Sequence, residues 1–148
     1  MCAQADWLTE SNKLRLKYVL KSERLRTFDK WPFSDESNCS AEKMADAGFY
    51  VPNTKQKDLV TCFLCNKELD GWEETDDPWE EHNNHSNKCL LAQSRRPFQD
   101  LKESDVPIMY ETLFQEFLQE YQNAKHDKRK KDAEQKFDKF KKPSRRNK

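Results

Sequence analysis

The chain has 148 residues, of which 34% are hydrophobic and 36% charged, with 27 basic and 27 acidic side chains. That length suggests about one domain, and the low apolar share implies a compact part followed by a long polar part with no core of its own. No apolar run approaches the roughly 18 residues of a membrane-spanning helix, the N-terminus lacks the basic start and apolar centre of a secretory signal, and two glycines leave no Gly-rich phosphate loop.

In chain order, Asn12 to Arg26 reads as one helix, with Leu14, Leu16, Val19, Leu20 and Leu25 interleaved with Lys and Arg. Trp31-Pro32 breaks it. Ser40 is an N-cap candidate for a short helix, Ala41 to Ala47, with Gly48 as its stop. Val51-Pro52-Asn53 signals a loop. Leu59 to Phe63 has strand composition, and Asn66-Lys67 turns it into a second strand ending near Trp72. Asp77-Pro78-Trp79-Glu80 combines an N-cap acid, proline at the first helical position and an acid in the first turn. The helix it starts is expected to run to about Leu91. Arg95-Arg96-Pro97 closes the compact region. A last helix is expected from about Asp105-Val106-Pro107, where Tyr110, Leu113, Phe114, Phe117, Leu118 and Tyr121 recur at spacings of three and four. The stripe returns weakly at Ala133, Phe137 and Phe140, and Pro143 ends it.

Charge is uneven along the chain. Residues 125–148 hold twelve Lys/Arg and four Asp/Glu, a net of +8, and the rest of the chain carries −8. The acids are densest from Glu68 to Glu81. One end should favour cationic partners and the other anionic ones. The basic end could meet nucleic-acid phosphates or acidic partners, serve as a nuclear-import signal, or remain a solvated helix end.

Five cysteines, an odd number without a secretory signal, point to a reducing compartment and to metal or redox chemistry rather than a disulfide scaffold. Cys62-x2-Cys65 at a strand turn can aim two thiolates at one ion. His82, His85 and Cys89 follow on the expected helix, with both histidines on the face of Cys89. Two thiolates, one His and a third Cys complete a closed tetrahedral site, so the ion, one Zn2+, would be structural. The residues alone leave His82 and His85 nearly equal as fourth ligand. A redox pair at Cys62/Cys65 fits less well, because such pairs open a helix in a βαβ unit.

Several motifs in order resemble one family: Arg24-Leu25-Arg26-Thr27-Phe28, Trp31-Pro32-Phe33, Met44-Ala45-Asp46-Ala47-Gly48-Phe49-Tyr50, Val60 to Cys65, Gly71-Trp72 and Asp77 to His82. Residues ~17–95 resemble the baculovirus IAP repeat, the BIR domain. The resemblance selects His82 as the ligand beside Cys62, Cys65 and Cys89. It implies an α+β fold: a small zinc-stabilised domain with a short three-stranded antiparallel sheet and helices, followed by one long C-terminal helix. The expected division is a flexible 1–11, the BIR at 12–95, a linker at 96–106, the amphipathic helix at 107–142 and a basic tail at 143–148.

One BIR followed by one long charged helix resembles the survivin-like branch of the family. That implies a non-enzymatic adaptor of the chromosomal passenger complex. Its BIR would read the histone H3 N-terminus phosphorylated on the third-position threonine. Its helix would join borealin and INCENP to place Aurora B kinase at centromeres and the spindle midzone, with nuclear and cytoplasmic phases. Asp70 and Asp76 match the family positions that meet the free amine. Trp72 matches the wall of the first-residue pocket, Leu69 the strand beside which the peptide adds, and Lys67 and His85 the positions that meet the phosphate. Asp70 stands where Glu is common, and Trp79 where a smaller aliphatic residue is. The helix stripe, Tyr110 to Tyr121, has no evident home on the domain and is read as the partner face. Trp7, Phe98 and Leu101 are candidates for self-association. The wider family suggests an alternative, inhibition of apoptosis by binding caspases or the N-termini of their antagonists in the same groove. A RING ligase is excluded, since it needs eight zinc ligands and only Cys2, Cys39, His85 and His126 remain beside the BIR set. Cys39 is the one weak candidate for a nucleophile, and a structural role suits it better.

Overall fold

A computed structural model describes residues 9–52 and 55–141. The expectations placed on a flexible start before residue 9, on Cys2 and Trp7, on Pro143 and on the basic tail lie outside the described residues. No described helix is long and apolar enough to cross a membrane.

The helix expected over 12–26 is two: α1, Glu10–Lys17, capped by the Thr9 side chain on Asn12 N, and α2, Lys21–Leu25, which tightens into a 3-10 turn at Arg26–Phe28. Between them Tyr18 and Val19 turn into the core, where Tyr18 stacks on Tyr50 with ring centroids 4.0 Å apart. Burial inverts the sequence expectation. Leu14, Leu16 and Leu20 are exposed, whereas Asn12, Arg15 and Arg24 are buried. The reason is backbone satisfaction. Arg24 donates to the carbonyls of Tyr18, Val19 and Ala45, and Arg15 to those of Phe63 and Leu64. A buried carbonyl left unpaired costs about 1–3 kcal/mol.

Helix α3, Ala41–Asp46, follows Ser40 and stops at its C-cap Ala47, just before Gly48. Gly48 has φ +92, and a Cβ there would lie 2.2 Å from Leu91 Cδ2, so only glycine fits both the backbone and the packing. The chain then enters β1, Phe49–Tyr50, a two-residue strand too short to show any periodicity. It pairs antiparallel with β2, Val60–Cys62, which pairs antiparallel with β3, Glu68–Leu69. The order β1-β2-β3 leaves β3 at the edge. Asn66, at φ 59, makes the turn between β2 and β3.

Helix α4, Pro78–His85, starts where Asp77-Pro78 signalled, with Asp77 Oδ1 accepting from Trp79 N and Glu80 N. It does not continue to Leu91. Ser86 leaves the helical conformation, and a second helix, α5, Leu90–Ser94, begins after Cys89. Ser-Asn pairs compete for backbone hydrogen bonds and favour such breaks.

The core gathers Met44, Phe49, Val60, Phe63, Leu64 and Leu91. The last helix, α6, Asp105–Lys141, has 37 residues, a length of about 55 Å. Its stripe does have a home. Met109, Leu113 and Phe117 are buried in the domain's core, and Phe98 sits edge-on between Phe63 and Tyr110, 6.0 Å from each ring. Tyr110 and Phe114 stay exposed, while Leu118 and Tyr121 are half-buried. The expectation of a wholly unhoused stripe is therefore corrected. The exposed leucines of α1 had concealed its polar inner face, which is what receives α6.

Candidate metal centre and peptide groove

Cys62 closes β2, Cys65 lies in the turn that follows, His82 is on α4, and Cys89 caps α5. Their ligand atoms all lie within 4.8 Å of one another. A four-coordinate zinc with bonds of about 2.3 Å needs donors ~3.8 Å apart, so the set fits one ion. The route differs from the one expected, since Cys89 reaches the site from a turn rather than from the helix that carries His82. His85 stands outside the cluster. His82 Nδ1 lies 3.0 Å from the carbonyl of Ala47. A proton there donates to that oxygen and leaves Nε2, 3.5 Å from Cys65 Sγ, as the donor atom.

The electrostatics suit a cation. Burial pushes the Cys62 thiol well up, and crowding by Cys65 and Cys89 adds to it. Contacts from Cys62 and Cys89 hold Cys65 far below the usual thiol range against its own burial. Burial lowers the His82 pKa, but Cys65 and Cys89 outweigh it and raise it to about 9. Three clustered sulfurs, those of Cys62 and Cys89 buried and that of Cys65 partly so, cannot all be thiolates without positive charge among them, and a divalent ion supplies it. Cys39, by contrast, is wholly buried and donates to the carbonyl of Glu73. Burial pushes its thiol up, the opposite of an activated nucleophile.

A second feature flanks the centre. Lys67, Leu69, Asp70, Trp72, Asp76 and His85 line one groove of about 250 Å³, with Glu68, Gly71 and Glu81. It runs beside β3, whose outer edge is unpaired within the sheet and open to an added strand. Trp72, 8% exposed, packs edge-on to Phe49, and its indole N–H finds no hydrogen-bond partner among the described residues. Asp76 Oδ2 accepts from Glu73 N at 2.8 Å. Asp70 accepts from the Gln56 amide. At the other end His85 Nδ1 faces the Glu81 carbonyl at 3.0 Å and its carboxylate at 3.5 Å. The groove thus carries four acids against one lysine and one histidine, with charges of both signs placed a few residues apart. Glu81 was read from the sequence only as part of the acidic run and not as a groove residue, although its place four residues before His85 puts both on one helix face.

The family model "BIR: Inhibitor of Apoptosis domain" matches residues 24–93. This stretch is a BIR domain. Its Cys62/Cys65/His82/Cys89 set is the cluster typical of a BIR zinc site. Baculoviral IAP repeat-containing protein 5.2-A of Xenopus laevis is 45% identical over 89 residues, covering 60% of this chain and 56% of that protein. Baculoviral IAP repeat-containing protein 5 of Cavia porcellus is 44% identical over 87 residues, covering 58% of this chain and 61% of that protein. These relatives are survivins, and the likeness spans only a little over half of their length. A solved structure, the autoinhibited dIAP1-BIR1 domain, is 34% identical with a TM-score of 0.45, covering 53% of this chain and 75% of that one. Members of the family are generally binding proteins rather than enzymes.

Proposed function

We propose that this protein is a non-enzymatic adaptor of the chromosomal passenger type. In this reading the BIR domain, folded around one structural zinc, takes the histone H3 N-terminus phosphorylated on its third-position threonine, and α6 binds borealin and INCENP helices to bring Aurora B to chromosomes in mitosis and to the midzone in cytokinesis.

The observation that carries the proposal is the single groove beside the free edge of β3. A peptide added there would pair with the β3 backbone. Its free amine would meet Asp76 and Asp70 beside Trp72, with Glu81 on the same wall. A phosphate further along would meet Lys67 and His85. Zinc supplies folding energy to this arrangement and no reaction chemistry. Tyr110 and Phe114, exposed on α6 next to Leu16, form with Leu113 and Phe117 an apolar depression of about 270 Å³, where a partner helix would seat.

The test is binding to synthetic H3 N-terminal peptides with and without the phosphate, beside an Ala-Val-Pro-Ile peptide. We expect preference for the phosphopeptide, reduced by His85→Ala and by Asp76→Asn, which keeps a side chain for Glu73 N. Preference for Ala-Val-Pro-Ile would instead place the protein among binders of caspases or their antagonists.

A further inference from the structure

Arg15 is 1% exposed, yet nothing in the groove or the metal cluster uses it. Its guanidinium divides its donors between two parts of the molecule. Nε donates to the carbonyl of Phe63 at 3.1 Å and Nη2 to that of Leu64 at 2.7 Å, the two residues between the paired ligands Cys62 and Cys65. Nη1 donates to Glu120 Oε1 of α6 at 2.6 Å. The Arg15 Cζ atom also lies 5.1 Å from the centroid of the Phe117 ring. One turn earlier on α1, Asn12 Nδ2 donates to the Phe117 carbonyl. From the other side Arg24 lies 4.8 Å over the Phe63 ring.

We infer that Arg15 latches α6 to the metal knuckle, so that metal loading of the domain and seating of the first turns of α6 reinforce each other. The inference rests on the Cys3His set holding a metal. Phe63 and Leu64 link two ligands, and their backbone conformation fixes whether Cys62 and Cys65 face one ion. A planar guanidinium meets the two carbonyls and the carboxylate from three separate nitrogens, a spacing that the single nitrogen of an ammonium does not reproduce. If the knuckle loses its shape, Arg15 loses two acceptors while remaining a buried charge, and its pairing with Glu120 no longer offsets the desolvation. If α6 leaves, the same charge loses the Glu120 carboxylate, its one ion-pair partner among the described residues, and the carbonyls lose a partner held in place by it. Coupling of this kind is reciprocal, so whatever factor the metal adds to helix seating, helix seating adds to metal affinity. In the latched state Leu113 and Phe117 are covered. Opening the latch adds them to Tyr110 and Phe114 as one continuous stripe.

The experiment uses the full-length, zinc-loaded chain and two readouts: hydrogen exchange of the amides at 109–121, and the rate of zinc transfer to a chromophoric chelator. Zinc content is measured first. A chain that takes up no zinc overturns the metal reading itself, and the inference with it. In a chain carrying one zinc, Glu120→Ala is expected to raise both rates on the order of tenfold, while Glu134→Ala, on the exposed part of α6, leaves both unchanged. Arg15→Lys is expected to act like Glu120→Ala. If it does not fold, Glu120→Ala alone decides. Faster exchange in the helix with zinc transfer at the wild-type rate would overturn the coupling and leave the metal reading standing, as would no change in either rate.

Discussion

In the BIR domain, buried side chains far apart in the sequence, from Tyr18 to Ala92, meet in one core, and two arginines are among the most buried residues. In α6 every residue from Gln122 to Phe140 is exposed. The first region holds its shape through long-range packing, buried backbone satisfaction and four ligands from four places in the chain. The second rests on its own helical hydrogen bonds, without the tertiary packing that supplies most of a helix's stability in proteins. Charge alone does not separate the two, since lysine and acidic side chains occur in both. What separates them is whether a polar group finds a buried acceptor. The proximal turns of α6, with Met109, Leu113 and Phe117 buried, belong physically to the domain.

Removing the metal should break this contrast most severely. Structural zinc contributes roughly 10–16 kcal/mol in small domains, as much as or more than the ~5–15 kcal/mol that holds a typical domain folded. Chelation, or Cys65→Ser, should abolish the domain's cooperative thermal transition and its near-ultraviolet circular dichroism. A metal-free chain with an unchanged transition would mean that packing alone suffices. A narrower test compares two phenylalanines on one helix. Phe117→Ala should cost about 3–5 kcal/mol in urea unfolding, because the side chain is 2% exposed, whereas Phe140, 88% exposed, should change stability by no more than about 0.5 kcal/mol. Equal effects would erase the boundary drawn within α6.

The smallest effect concerns Lys21, which pairs with Glu42 and Asp46 of α3. Lys21→Ala should cost about 0.2–1 kcal/mol. Burial lowers its pKa, but Asp46 and Glu42 outweigh that and raise it above 10.5. A raised lysine contributes fully below its unfolded value and loses the contribution as pH rises through the folded one. The wild-type advantage over Lys21→Ala should thus be constant near neutrality and fade in strong alkali, as read from urea midpoints.

Local chemistry was legible where a signal and its consequence sit within a few residues. Asp77-Pro78 starts α4 because an N-cap carboxylate and a proline at N1 act on the very next turn. Cys62-x2-Cys65 forms the knuckle because the β2–β3 turn brings the two sulfurs together. That Lys67, Leu69, Asp70, Trp72, Asp76 and His85 share one groove was an expectation of the resemblance alone, and Glu81, known from the sequence only as part of the acidic run, lines it because of where α4 faces. The break after His85 was not legible as a helix end, since the apolar spacing of Leu90 and Leu91 continues the pattern through it.

The sequence by itself determined the three cysteine ligands, the edge hairpin, the start of α4 and the existence of one long helix, all of which follow from spacing or from residues adjacent in the chain. The choice of His82 over His85, by contrast, came from the family resemblance and agrees with the cluster. Only the tertiary structure decided that Arg15 and Arg24 lie inside while Leu14, Leu16 and Leu20 lie outside, and that α6 is anchored for its first turns and free of the core afterwards. The hydrogen bonds from Asn12 and Arg15 to α6 join residues 105 positions apart. Local periodicity carries no record of such a partner, and a buried arginine looks like a solvated one until the carbonyls it satisfies are in place.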